Sequence, residues 1–385
     1  MRTLWPLLMS LLPALVGVGP VSAVPLEVLF RPSVTDAAIT QFNDRHFAVV
    51  DPAVASRAKL VLFLPGTGAI PFLYREFAGN AASLGFHSLT LMYPNDSAIN
   101  VLCEQYAPLD PDAAGNARLE VIDGINRVSF LAVDSTNSIQ NRLVKALQHL
   151  HNAYPTQGWG QYFTGTTVLW SKLIVSGHSQ GAGMAALLAK TRVTDRCIMF
   201  TSMDWWRGGS PPRPYNWMSM VPLTPVDRWY AMAHERDQLL GFSEMQVAAT
   251  ALDVSRYGAC ERVETSPSPS YRGRHFLSTN LEPAPAQSTS YHGCPVVDAA
   301  TPMQLSGTAT TPVLKPAWDY MLLHETLPLS IESGATSVSL IFSPGTLEQS
   351  DDLTHWAPVR GAASPLTLPS NALAPRRYYR LHITP

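Results

Sequence analysis

The chain has 385 residues, 46% of them hydrophobic and only 15% charged, with a formal net charge of -2. So much apolar content excludes a disordered chain and is enough for one large core. So balanced a charge excludes the basic field that nucleic acid or an anionic membrane would require.

The first residues, "MRTLWPLLMSLLPALVGVGPVSA", have a positive start at Arg2, an apolar stretch and small residues at the end. They predict a secretory signal peptide cut after Ala23, so the mature protein is expected to be secreted or periplasmic. Pro6, Pro13 and Pro20 break the run too often for a spanning helix, and no other run is long and apolar enough to cross a bilayer. Export permits disulfides among Cys103, Cys197, Cys260 and Cys294, which allow three full pairings. Cys197, in the strand-like "RCIMF", suits a buried free thiol. Cys260 and Cys294 flank the segment 261–293, and a bridge between them is expected to steady it; Cys103–Cys260 is the rival. No C-x-x-C spacing occurs, so the sequence predicts neither a metal nor a cofactor.

After the leader, "LEVLFRPSV" and "HFAVVDP" predict an antiparallel pair at a sheet edge. "KLVLFLPGTG" (59–68) is a strand ending in a glycine turn, and "FLYREFAGNAASLG" (72–85) is a helix closed by glycine. "FHSLTLMYP" is a strand. "NARLEVIDGINRV" and "SIQNRLVKALQHLHNAYP" are helices, the second with Ser138 as N-cap and Pro155 as stop. "WSKLIVSG" is a strand and "SQGAGMAALLAKTRV" a helix; the strands "RCIMFTSMD", "RWYAMAHERD" and "RHFLSTN" and the helix "KPAWDYMLLHETL" follow. Such alternation predicts an α/β domain over residues 24–332, a mostly parallel sheet with helices on both faces. From residue 333 to 385 the composition changes to short strand-like pieces and turns, which predicts a small β-rich module.

The stretch "VSGHSQGAG" (175–183) carries the chemistry. "GHSQG" fits G-x-S-x-G, follows an apolar strand and opens a small-residue helix, which is the context the nucleophile elbow demands. A strand that turns into a helix within one or two residues leaves Ser179 in a strained backbone conformation and its hydroxyl clear of the sheet. Gly177 and Gly181 fit where side chains would strike the neighbouring strand and helix. The helix start behind Ser179 offers free N–H groups to a developing oxyanion. His178 is expected to pack beneath the elbow.

"LFLPGTGA", "GHSQGAG", "AHERD" and "YHGCPVVD", in this order, resemble the α/β-hydrolase superfamily, and more narrowly a branch of secreted bacterial serine hydrolases of esterase or lipase type. The resemblance spans about residues 45–328. It implies an eight-stranded sheet and a Ser-acid-His triad. Its acid follows the second strand after the elbow, which places it at Asp237; Asp204, one strand earlier, is the rival. Its histidine lies on a loop after the last strand, which places it at His292. Its oxyanion hole takes one N–H from Gln180 and a second from the loop after the 59–64 strand, for which Thr67 is the candidate. Pro65 stands where relatives carry the histidine of an H-G pair, so the second donor is open. "LEQSDDLTHWAPV" and "RRYYRL" resemble a short module at the carboxy ends of secreted bacterial proteins, which implies surface attachment or sorting at most, not catalysis.

The insert "MDWWRGGSPPRPYNWMSMVPLTPVD" supplies either one wall of an apolar cleft or core behind the site. Two functions are to be weighed. One is a serine hydrolase acting on a small-molecule or polymeric ester. The other is a non-catalytic relative acting as an extracellular binding protein.

Overall fold

The computed structural model describes residues 24–202, 204–266, 270–284, 290–307, 309–325, 329–334, 336–342, 346–369 and 377–382. The expected signal peptide, residues 1–23, lies outside the described residues. Among the described residues no helix is long and apolar enough to cross a membrane.

The strands of the main sheet, in chain order, are β1 (Leu26–Phe30), β2 (His46–Val50), β3 (Leu60–Leu64), β4 (His87–Thr90), β5 (Leu173–His178), β6 (Arg196–Phe200), β7 (Trp229–His234), β8 (Glu261–Arg262) and β9 (Phe276–Thr279). They lie side by side in the order β1-β2-β4-β3-β5-β6-β7-β9-β8. β1 pairs antiparallel with β2, and β2 with β4; every other pairing is parallel. This is a mixed α/β architecture of the α/β-hydrolase-like kind. The sheet has nine strands where eight were expected. The ninth, β8, is a two-residue edge piece held parallel to Leu277 and Ser278.

The central strands are continuous apolar runs because both faces of the sheet are covered. In β3 the sequence "LVLFL" is buried throughout. Leu60, Leu62 and Leu64 point to the face that carries α1 (Ala113–Asp123), α2 (Ile139–Ala153) and α3 (Gln180–Thr191). Val61 and Phe63 point to the opposite face, under a helix formed by Arg75–Ser83 and another formed by Lys315–Leu323. There Phe77 stands between Phe63 and Trp318, with ring centroids 5.4 and 5.5 Å away. Ser138 caps α2, its hydroxyl accepting from the Asn141 N–H at 3.2 Å, a contact worth about 1 kcal/mol.

Topology places the site. After β3 the chain passes to β4 on one side of it, while β5 lies on the other side of β3. The segments leaving β3 and β5 therefore part at a switch point, where parallel sheets open a crevice beyond their carboxy ends. The β3 segment carries Thr67 and the β5 segment carries Ser179.

The carboxy-terminal region forms two three-stranded antiparallel sheets. One joins Leu329–Ser333, Ser337–Phe342 and Leu366–Pro369; the other joins Ala357–Pro358, Thr346–Ser350 and Tyr378–His382. Its small core contains Leu340, Phe342 and Leu347, and Ile341 packs on Val226 and Tyr257 of the α/β body.

The expected disulfides are corrected: none of the four cysteines is joined to another. The Cys260 thiol lies beside Ser278 at the sheet edge, whereas Cys294 is buried two residues after His292. Hydrogen bonds hold the His292 segment instead. Thr301 Oγ1 donates to the Cys294 carbonyl at 3.1 Å, and the Asp298 N–H donates to the Leu73 carbonyl at 3.0 Å.

Candidate active site

Ser179 sits between the last residue of β5 and the first of α3, with φ 53° and ψ -119°. A serine in that left-handed region is strained, and the surroundings hold it there. A Cβ on Gly177 would come within 2.4 Å of the Gly181 backbone; one on Gly181 would lie 2.0 Å from the Leu64 carbonyl oxygen. Only glycine lets strand and helix approach this closely. The Ser179 N–H donates to the Phe200 carbonyl at 2.9 Å, which ties the turn to β6.

Asp237 follows β7, and His292 lies in a single helical turn, Ser290–Gly293. His292 Nδ1 and Asp237 Oδ2 are 2.7 Å apart, and both side chains are buried. Asp237 Oδ1 accepts from the N–H groups of Leu239 and Leu240 at 2.8 and 2.9 Å. His234 shapes this turn: its Nδ1 accepts from the Arg236 N–H at 3.0 Å, and its Nε2–H donates to the Leu281 carbonyl at 2.8 Å. Glu235 turns away to Arg262 and Ser278. Ser179 and His292 line one cavity of about 590 Å³. Among the described residues neither Ser179 Oγ nor His292 Nε2 takes a hydrogen bond. Contacts of this kind commonly close only when substrate is bound.

Asp204 is engaged elsewhere. It is fully buried and receives Arg118 Nε at 2.5 Å, Arg118 Nη2, and Trp217 Nε1 at 2.8 Å. The insert that carries it is core: Tyr215, Trp217 and Met218 are buried in the main cluster, and the cavity wall contains none of them. Of the two readings of that insert, the cleft wall is the one to discard.

Thr67 and Gln180 both line the cavity. Among the described residues no backbone acceptor takes the N–H of either. The two are also linked through side chains, since Gln180 Oε1 accepts from Thr67 Oγ1 at 3.2 Å and from the Ile99 N–H at 2.9 Å. The turn around Thr67 is clamped by a residue that sequence reasoning missed. The buried Asn95 donates from Nδ2 to the carbonyls of Gly66 (2.7 Å) and Ala69 (2.9 Å) and accepts the Gly68 N–H on its own carbonyl (2.7 Å). A polar residue in "YPND", just beyond a buried strand, was the available signal. Arg118 was missed as well; besides pairing with Asp204, it donates to the Gln180 carbonyl at 2.9 Å.

Most of the remaining wall is apolar, including Ala69, Leu73, Ile99, Val101, Leu239, Leu240 and Val297. The charged side chain that reaches it, Arg118, is already neutralised by Asp204. The arrangement therefore offers a strained serine, an imidazole held by a carboxylate, two N–H groups and an apolar wall.

No protein-family model matches the chain, and no curated protein matches it. Among solved structures, TT1662 from Thermus thermophilus is similar at 14% identity and a TM-score of 0.33, covering 67% of this chain and 89% of that one.

Proposed function

We propose that this chain is a serine hydrolase that cleaves carboxylic esters. The observation that carries the reading is the strained Ser179 opening on the same cavity as His292, whose Nδ1 is held by Asp237. Ser179 Oγ attacks the acyl carbon as His292 takes its proton. Asp237, bonded to Nδ1, fixes the tautomer with a free Nε2 and steadies the imidazolium. The N–H groups of Gln180 and Thr67 receive the oxyanion. Collapse expels the alcohol, protonated by His292, and leaves an acyl-enzyme. Water, activated by the same imidazole, releases the acid. The wall favours a neutral, apolar ester, because among the described residues its charged side chain, Arg118, is already paired with Asp204. A purely binding role leaves the strain at Ser179 without use, and strain of that kind persists where a function needs it.

A fluorophosphonate probe tests the reading. It is expected to label Ser179 in the native protein and to leave Ser179→Ala unlabelled; equal labelling of both defeats the assignment. Nitrophenyl esters from acetate to palmitate, with the same variant as control, then define the acyl length. The proposal extends to export and to surface attachment through the carboxy-terminal module. Amino-terminal sequencing of exported protein is expected to begin at Val24. A chain ending at Glu325 is expected to hydrolyse soluble esters within a few-fold of the full chain while losing attachment.

A further inference from the structure

Three segments of the site come together beneath Ser179, and a single line of hydrogen bonds runs through them. The Gly66 N–H, in the turn that carries Thr67, donates to Tyr74 Oη at 3.0 Å. Tyr74 Oη lies 3.1 Å from His178 Nδ1. His178 Nε2 lies 3.1 Å from the backbone carbonyl of His292. Tyr74 and His178 are both buried, and His178 immediately precedes Ser179.

The ends of this line fix the direction of every bond. A backbone N–H can only donate, so Tyr74 Oη accepts from Gly66. A carbonyl can only accept, so His178 Nε2 carries a proton. In a neutral imidazole Nδ1 is then the acceptor, and the Tyr74 hydroxyl proton has one place to go. Burial, and secondarily the neighbouring His292, push His178 down to about 3, so the ring stays neutral where the line requires it. The His178 and His292 ring centroids are 4.8 Å apart. A charged His178 at that distance would oppose protonation of His292, whereas a neutral one does not.

We propose that Tyr74 and His178 are positioning residues, which set the spacing between the oxyanion turn at Gly66–Thr67 and the backbone of the base His292 through one proton-ordered chain. The inference rests on the reading of Ser179 as nucleophile. The same two segments are tied again farther out. Asp298 accepts the N–H groups of Arg75 and Glu76 at 3.0 and 3.2 Å and donates its own N–H to Leu73. That outer tie holds the segments together, while the inner line sets their spacing next to the reacting atoms.

The test separates positioning from folding. Tyr74→Phe keeps the ring but breaks the line in the middle. It is expected to lower kcat roughly ten- to hundredfold with KM changed less than about threefold, since a displacement of about 1 Å is enough for a loss of that size. Fluorophosphonate labelling, which also places an oxygen in the oxyanion site, should slow by the same factor. His178→Gln, which can still donate to the His292 carbonyl, should keep more activity than His178→Leu at a similar melting temperature. Unchanged kcat and labelling in a Tyr74→Phe protein that merely melts earlier would overturn the inference. Nitrogen NMR of the histidines in the native protein gives a readout independent of any variant. It should show His178 neutral, protonated on Nε2, from pH 5 to 9; titration in that range or a proton on Nδ1 alone would also overturn it. Native protein that the probe does not label at Ser179 would instead defeat the nucleophile reading, which keeps the two failures distinct.

Discussion

Two carboxylates stand beyond the carboxy ends of neighbouring parallel strands, Asp204 after β6 and Asp237 after β7, and their surroundings give them opposite tasks. Asp204 meets a permanent cation, Arg118, together with the Trp217 indole, so its charge is fully answered inside the protein. Asp237 meets two backbone N–H groups and an imidazole. Backbone dipoles hold it in place without cancelling its charge, and the imidazole becomes a cation only when it takes a proton. Its negative charge is thus still available to favour that proton transfer. The position of an acid at a strand end does not assign its role; the charge left over after its partners are counted does.

The largest expected effect is on Asp237. In Asp237→Asn the His292 tautomer is no longer dictated and the imidazolium loses its counter-charge. The kcat for a nitrophenyl ester should fall by about 10⁴, while the thermal melt changes little. A loss below tenfold would mean that the two acids have been assigned the wrong way round.

Asp204 should respond in the opposite sense. Asp204→Asn leaves Arg118 buried without its counter-ion and should cost about 3–5 kcal/mol in urea unfolding, with the activity per folded molecule reduced far less. Replacing both partners with apolar residues of similar size, as in Arg118→Met with Asp204→Leu, should recover most of that stability. An Asp204→Asn protein as stable as the native one and inactive would show that Asp204 serves the reaction rather than the fold.

Much of this frame was legible in the sequence, for physical reasons. The strand–Ser179–helix turn needs glycines on both sides, and their spacing is visible as "GHSQG". Continuous apolar runs such as "LVLFL" mark strands covered on both faces, and Ser138 marks its helix start. What was not legible depends on contacts distant in the chain. Arg118 lies 86 residues from Asp204, and Tyr74 lies 104 from His178. Nothing local to either partner announces the other. The cysteines misled for a related reason: flanking the same segment in sequence does not bring two thiols face to face across a sheet edge. β8 was missed because two residues carry no periodicity.

A third carboxylate, Asp298, should show the smallest effect. Among the described residues Asp298 has neither a bonded cation nor a base; its oxygens accept the backbone N–H groups of Arg75 and Glu76. Burial outweighs those donors, and its carboxyl is raised from 3.8 to about 7. The sign follows from linkage. In the unfolded chain Asp298 loses its proton near pH 4, but in the folded chain it keeps it until about pH 7. The unfolded state thus binds fewer protons across that window, and the contribution of Asp298 to stability declines as pH rises through it. An asparagine side chain at this position carries no charge at any pH, although its NH2 group cannot accept either N–H. The melting temperature of Asp298→Asn relative to the native protein should therefore rise by about 2 °C or more between pH 4 and pH 8, about the shift that 1 kcal/mol gives in a domain of this size. A gap that stays constant with pH would show that backbone N–H groups alone suffice to keep a half-buried aspartate ionised. The counting of leftover charge that separates Asp237 from Asp204 would then need revision.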